Sequence, residues 1–335
     1  MDQVETRRGV LRAGGAGLLA TLAAAPAPAA AHTDQAGLAD PLVPLWPGAI
    51  PGARGTVIRR RVEDQSKDPA RPDRWIRGID RPALVVRRAP RPNGAAVLLV
   101  PGGGYGFNSY DNEGVEQANW LNARGITAFI LLYRLPGEGW ENRHLVPLQD
   151  AQRAMRLIRA RAADFGVDPR RIAVLGFSAG GHLAGSLATR FDERCYAPVD
   201  AADALSARPD LAGLVYPVVS MAPGYTHGSS RNNLLGAAPD AAREQAASVE
   251  RRVGADTPPV LLVHAGDDAT VPVANSILLY QAMLAAHRPA ALHLFDEGGH
   301  GFGTRLSPAM PASQWPGLFH AWGVRHAVFS AAAAA

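Results

Sequence analysis

Short apolar runs alternate along this chain with longer amphipathic stretches, a pattern that predicts buried strands separated by covering helices. The runs at 83–86 (Ala-Leu-Val-Val) and 95–100 (Ala-Ala-Val-Leu-Leu-Val), divided by a stretch rich in proline and arginine, read as early strands. Residues 114–123 read as a helix and 126–133 as the next buried strand. Leu148, Ala151, Met155, Leu157, Ile158 and Ala162 recur near helical spacing between 147 and 166. Asp150 falls in the first turn of that helix, where a negative charge suits the dipole. A strand at 172–175 and a helix of small and apolar residues over 181–189 follow. Further strands are predicted at 211–219, 259–264 and 291–295, and helices over 275–286 and 315–329. Between 220 and 252 the periodicity lapses, and long irregular insertions of this kind often cover a functional site. The order is that of an α/β protein: a mostly parallel central sheet with helices on both faces, in a single domain over 56–330.

The two ends stand apart from this pattern. Residues 1–31 read as an address: Thr6-Arg7-Arg8-Gly9-Val10-Leu11-Arg12 precedes an apolar run over 13–25, then Ala29-Ala30-Ala31, a small-residue cleavage pattern. The paired arginines predict twin-arginine-type export to the periplasm or the exterior. The apolar run is short for a membrane span and ends at Pro26 and Pro28, so no stable membrane association is expected after cleavage. Residues 32–55 are expected to form an N-terminal extended segment, and 331–335 a disordered tail.

Composition narrows the classes. An apolar fraction of 47% supports a large core. Cys195 is the sole cysteine, which excludes an internal disulfide and a cysteine-based metal cluster. The formal charge is +4, carried almost wholly by scattered arginines, with no basic stripe interleaved with aromatics, so no nucleic-acid partner is expected.

Candidate chemistry centres on Gly176-Phe177-Ser178-Ala179-Gly180. A serine hydroxyl is a poor nucleophile until a base takes its proton, so Ser178 needs a base, an acid to orient it and donors for an oxyanion. The motif alone is weak, but it follows an apolar strand and precedes a helix, the setting that exposes a serine at the carboxyl end of a sheet. Oxyanion donors are expected from the N–H of Ala179 and from Gly103 and Gly104 of Pro101-Gly102-Gly103-Gly104-Tyr105. His300, in Gly299-His300-Gly301-Phe302 after the last strand, is the expected base. His182 reads as a packing residue on the helix after Ser178, and His264 as a hydrogen-bonding residue at a strand end. The acid lies in Asp267-Asp268, with Asp268 favoured, because neighbours in a loop point apart and one caps backbone while the other reaches the imidazole. Asp296 is a weaker third candidate. Tyr105, His227, Trp46 and Trp140 are candidates for shaping a substrate pocket, and Cys195 reads as a buried bystander.

Taken together, Pro101-Gly102-Gly103-Gly104-Tyr105, Gly-Phe-Ser-Ala-Gly-Gly-His at 176–182, Asp268-x-x-Val-Pro and Gly-His-Gly-Phe at 299–302 resemble bacterial α/β hydrolases akin to acetyl xylan esterases and feruloyl/acetyl xylan esterases, the BD-FAE-like group. Leu45-Trp46-Pro47-Gly48, Tyr133-Arg134-Leu135 and Gln149-Asp150-Ala151 are similar to that group too, so the resemblance covers most of the chain after the leader. It implies the α/β-hydrolase fold, a Ser178–His300–Asp268 triad with no metal or organic cofactor, and an ester or acetylated-oligosaccharide substrate. One departure is Pro101: hormone-sensitive-lipase-like esterases have histidine before the glycines, so one hydrogen-bonding anchor of the oxyanion loop is expected to be missing. Two other enzyme readings stay open on the same fold, a serine exopeptidase and a small-ester carboxylesterase. A non-catalytic binding protein would carry a damaged triad, and serine, acid and histidine are all present.

Overall fold

The computed structural model describes residues 41–331, so the expected leader, the start of the extended segment and the tail at 332–335 lie outside the described residues. Eight strands form one sheet in the order β1-β4-β7-β5-β8-β9-β10-β11: Leu42–Pro44 (β1), Ala83–Arg87 (β4), Gly94–Val100 (β5), Thr127–Leu132 (β7), Val167–Phe177 (β8), Leu211–Val215 (β9), Val260–Ala265 (β10) and Ala290–Phe295 (β11). Pairing is parallel from β7 through β11, while β1 with β4 and β4 with β7 are antiparallel. The early apolar runs are therefore strands of this sheet, as their continuous hydrophobicity predicts for strands covered on both faces.

Alternation along the strands sorts the core into two layers. Leu98, Phe129, Val174 and Leu262 face the helices Val146–Ala160 (α2), Ala162–Phe165 (α3), Ser178–Thr189 (α4) and Ala274–Ala285 (α7), meeting Met155, Phe165, Leu183 and Leu279. Leu99, Ile130, Leu175 and Val263 face the other side, meeting Leu121 of Glu116–Asn122 (α1) and Trp315 and Phe319 of Trp315–Arg325 (α8).

Several boundaries differ from the sequence pattern for local reasons. The strand expected over 211–219 stops at Val215, because Tyr216 adopts φ +39° and Pro217 follows. The helix expected from 181 begins at Ser178 itself. The lapse over 220–252 holds two short helices, Gly228–Leu235 (α5) and Ala241–Ala247 (α6). Within the segment 32–55, β1 pairs with β4, and Leu45 and Trp46 are buried in the core.

A second sheet has no counterpart in the sequence reading. Arg61–Asp64 (β2), Arg74–Arg77 (β3) and Asn108–Ser109 (β6) form three antiparallel strands over the carboxyl end of β5.

The dipole role expected of Asp150 is corrected. It sits past the first turn of α2, fully buried, where Oδ1 accepts the indole N–H of Trp46 at 2.9 Å and its two oxygens take the guanidinium and backbone N–H of Arg134 at 2.8–3.0 Å. Arg134 also donates to Gln149 Oε1 at 3.1 Å. A buried carboxylate must be paired and hydrogen-bonded to be tolerated, so tertiary partners rather than helix position explain it.

Candidate active site

Ser178 lies where β8 turns into α4, and its φ of +52° is the left-handed conformation that costs an ordinary residue roughly 1–2 kcal/mol. Its flanking glycines explain how the turn closes. A β-carbon on Gly180 would stand 2.1 Å from the carbonyl oxygen of Val100, and one on Gly176 would stand 2.3 Å from that of Gly180. Neither site has room for a side chain.

The three residues expected to act together are in contact. Ser178 Oγ donates to His300 Nε2 at 2.9 Å, and His300 Nδ1 donates to Asp268 Oδ2 at 2.7 Å. Carboxylate oxygens only accept, so the Asp268 bond fixes the tautomer that leaves Nε2 free to receive a proton. The two aspartates divide as the loop geometry suggests: Asp267 Oδ1 accepts the backbone N–H of Gly299 at 2.8 Å, holding the histidine loop. Asp296 is exposed and takes no part.

Behind Asp268 stands His264, which the sequence placed only as a strand-end hydrogen bonder. Its Nε2 lies 3.3 Å from Asp268 Oδ2 and 3.0 Å from the carbonyl oxygen of Val271, and Ser276 Oγ meets Nδ1 at 2.8 Å. Burial by itself raises the Asp268 carboxyl. Hydrogen bonds from His264, His300 and the Val271 N–H outweigh it and hold the group well below the usual carboxylate range. Asp268 therefore favours its charged form beside His300.

The glycine loop packs directly against the serine turn: a β-carbon on Gly102 would stand 2.9 Å from Ser178 Cβ. Gly103 and Gly104 take φ +116° and +61° and line the same cavity as Ser178 and His300. Ala179 is buried beneath Ser178 at the start of α4. Two residues whose roles the sequence did not predict hold the glycine loop. Tyr133 donates its hydroxyl to the carbonyl oxygen of Pro101 at 2.9 Å, and Glu113 accepts the Gly102 N–H at 2.7 Å. Glu113 also accepts the hydroxyl of Tyr216 at 2.9 Å, and that same hydroxyl oxygen accepts the Gly303 N–H at 3.1 Å. Burial raises the Glu113 carboxyl, opposed chiefly by the Gly102 N–H bond. The Tyr216 ring packs on the His300 ring with centroids 4.9 Å apart.

A cavity of about 510 Å³ opens over Ser178 and His300. Of the aromatic and histidine candidates for its wall, only His227 lines it, with Nδ1 2.9 Å from Ser230 Oγ. Trp46 is corrected to a core residue, since its N–H serves Asp150 and its ring packs edge-on against Tyr196. Tyr105 is corrected likewise: its φ of +60° sends the side chain inward, where the hydroxyl meets His182 Nδ1 at 2.7 Å. His182 Nε2 faces the carbonyl oxygen of Ala247 at 2.8 Å, so Nε2 carries the hydrogen and Nδ1 accepts from Tyr105. Trp140 is buried under the Arg134 guanidinium, 4.9 Å from its ring centroid. Cys195 is half-buried, and burial pushes its thiol up to about 12, which leaves it inert. The wall is instead built by Trp75, Arg77 and Ser109 of the small sheet with Phe107 and Asn112.

Comparison with known proteins places the chain among esterases. The family described as BD-FAE matches residues 87–283. An acetylxylan esterase of Xylanibacter ruminicola is 35% identical over 216 residues, which are 63% of this chain and 42% of that protein. Endo-1,4-beta-xylanase B of Butyrivibrio fibrisolvens is 38% identical over 205 residues, 61% of this chain and 32% of the relative. The chain thus spans about a third to two fifths of the length of these curated relatives. Among solved structures, an acetyl ester-xyloside bifunctional hydrolase from Caldicellulosiruptor lactoaceticus superposes with a TM-score of 0.71 at 34% identity, covering 86% of this chain and 97% of that one.

Proposed function

The chain belongs to the BD-FAE family, and from that premise we propose that it is a carboxylic-ester hydrolase that removes acetyl groups from a plant polysaccharide such as acetylated xylan. The observation that carries this reading is the chain of short contacts Ser178–His300–Asp268 beneath an open cavity. Ser178 Oγ attacks the ester carbonyl while His300 Nε2 takes its proton, and Asp268 stabilises the imidazolium that results. The carbonyl oxygen becomes an oxyanion held by the N–H groups of Gly103, Gly104 and Ala179. As the tetrahedral intermediate collapses, the carbon–alcohol oxygen bond breaks and His300 returns the proton to the leaving alcohol. Water, deprotonated by His300, then attacks the acyl carbonyl, and as the bond to Ser178 Oγ breaks His300 returns the proton to Oγ and acetate leaves.

The names of the relatives support the choice of substrate class. Export to the periplasm or exterior belongs to the same reading and rests on the sequence of residues 1–31. Replacing Ser178 with Ala is expected to abolish hydrolysis of p-nitrophenyl acetate and labelling by a fluorophosphonate while thermal unfolding stays cooperative; substantial turnover in that variant would sink the assignment. A screen of esters from acetate to octanoate beside acetylated xylan and methyl ferulate tests the acyl and alcohol preference.

A further inference from the structure

The alternation of β3 sets Ile76 into the core, fully buried, and turns Trp75 and Arg77 to the opposite face. That face is the cavity wall: Trp75, Arg77 and Ser109, the partner of Trp75 on β6, all line it. Trp75 and Phe107 lie stacked, with ring centroids 3.9 Å apart and planes within 14°. Arg77 sits 5.0 Å from the Phe107 centroid and donates to the carbonyl oxygen of Gly106 at 2.6 Å. The chain has thus placed a rigid pair of aromatic rings beside its reactive serine and left them partly exposed.

The charges around these rings are already spent. Arg77 faces Glu63 Oε2 at 3.5 Å, and Asp73, also on the cavity, faces Arg305 at 3.3 Å. A charge-balanced wall offers no net attraction to an anionic or cationic group, whereas its paired groups retain lone pairs and N–H bonds suited to hydroxyls. Flat aromatic faces bordered by such groups match the ring of a neutral pyranose, which presents apolar C–H bonds on its faces and hydroxyls at its edge. Position selects which part of an ester this is. Asn112, which lines the cavity together with these rings, donates to the carbonyl oxygen of Gly301 at 2.8 Å, so the cavity they share borders the loop that carries His300, the group that protonates the departing alcohol in the proposed mechanism.

We propose that the Trp75–Phe107 wall of the small sheet is the subsite for the sugar that bears the ester, a neutral pyranose unit of an acetylated oligosaccharide. This rests on the esterase reading and specifies where the alcohol part binds. The test is Trp75→Ala, with kcat/KM measured on acetylated xylo-oligosaccharides and on p-nitrophenyl acetate. The ratio of the two is expected to fall about tenfold, and Trp75→Phe to restore most of it. A disturbed oxyanion loop would lower both rates together and leave the ratio in place, so a ratio within twofold of the parent overturns the subsite. An equal fall on methyl ferulate would also overturn it, by making the wall an aromatic-acyl site. Unsubstituted xylo-oligosaccharides are expected to inhibit p-nitrophenyl acetate hydrolysis by the unaltered protein competitively, and absence of inhibition at millimolar concentration refutes the proposal even if the Trp75 variants fail to fold. Failure of the unaltered protein to hydrolyse either ester refutes the esterase reading instead, a separate outcome.

Discussion

Glu113 accepts the backbone N–H of Gly102 at 2.7 Å, directly behind the loop that borders Ser178. That bond commits the first glycine of the loop to the protein and leaves the N–H groups of Gly103 and Gly104 for the oxyanion role proposed for them. Through Tyr216 the same carboxylate reaches Gly303, so one buried side chain ties the glycine loop to the histidine loop. Glu113→Ala is expected to lower kcat on p-nitrophenyl acetate by about tenfold to a hundredfold, the range for a misplaced catalytic group, with a smaller change in KM. Glu113→Gln keeps an acceptor for Gly102 and is expected to recover much of the loss. A kcat unchanged in the alanine variant would remove the loop-positioning role.

The paired aspartates separate by the same logic. Asp268→Asn leaves the shape but loses the charged acceptor that sets the His300 tautomer, and kcat is expected to drop by roughly 10³–10⁴. Asp267→Asn still accepts from Gly299 and is expected to cost only a few-fold. Steady-state kinetics on the two variants decide between them; comparable losses would contradict the division of labour.

Acid should loosen the packing between the glycine loop and α4. Burial lowers His182 from its ordinary 6.5 to about 4, so the folded chain binds this proton less readily than the unfolded one. Its stabilising contribution is full above pH 6.5 and is lost as the pH falls toward 4, at most about 3 kcal/mol over that window. His182→Gln is expected to lower the melting temperature at pH 7.5 and to lie much closer to the parent at pH 4.5. A gap that stays constant with pH would show that His182 is not held neutral.

Removing one partner of a buried ion pair strands the other. Arg134→Leu leaves Asp150 charged and fully enclosed, with only the Trp46 indole and a backbone N–H to serve it. Urea denaturation is expected to show a loss of about 3–5 kcal/mol. A loss under about 1 kcal/mol would mean that the pair is replaceable packing.

What the sequence could say depended on how local the cause was. The strands of the large sheet are continuous apolar runs because both faces are covered, and Ser178, Asp268 and His300 stand at or just beyond strand ends in loops with their own turn signals. The small sheet left no such trace: Arg-Val-Glu-Asp and Arg-Trp-Ile-Arg are short and charged, and β3 pairs with β6 across some thirty residues. Glu113 was silent because its bonds to Gly102 and to Tyr216, 103 residues away, arise only in the folded chain. Asp150 had a plausible local explanation, the helix dipole, which a tertiary partner displaced. Trp46 and Tyr105 misled as pocket candidates because aromatic character does not distinguish a wall from a core.

The reactive groups hang from loops of the large sheet, whereas Trp75 and Arg77 hang from a sheet that, among the described residues, shares no ladder with it. The proposed reacting groups and the proposed sugar contact thus stand on separate pieces of chain. Substitutions between 61 and 77 can therefore alter the proposed sugar contact without touching the strands that hold Ser178.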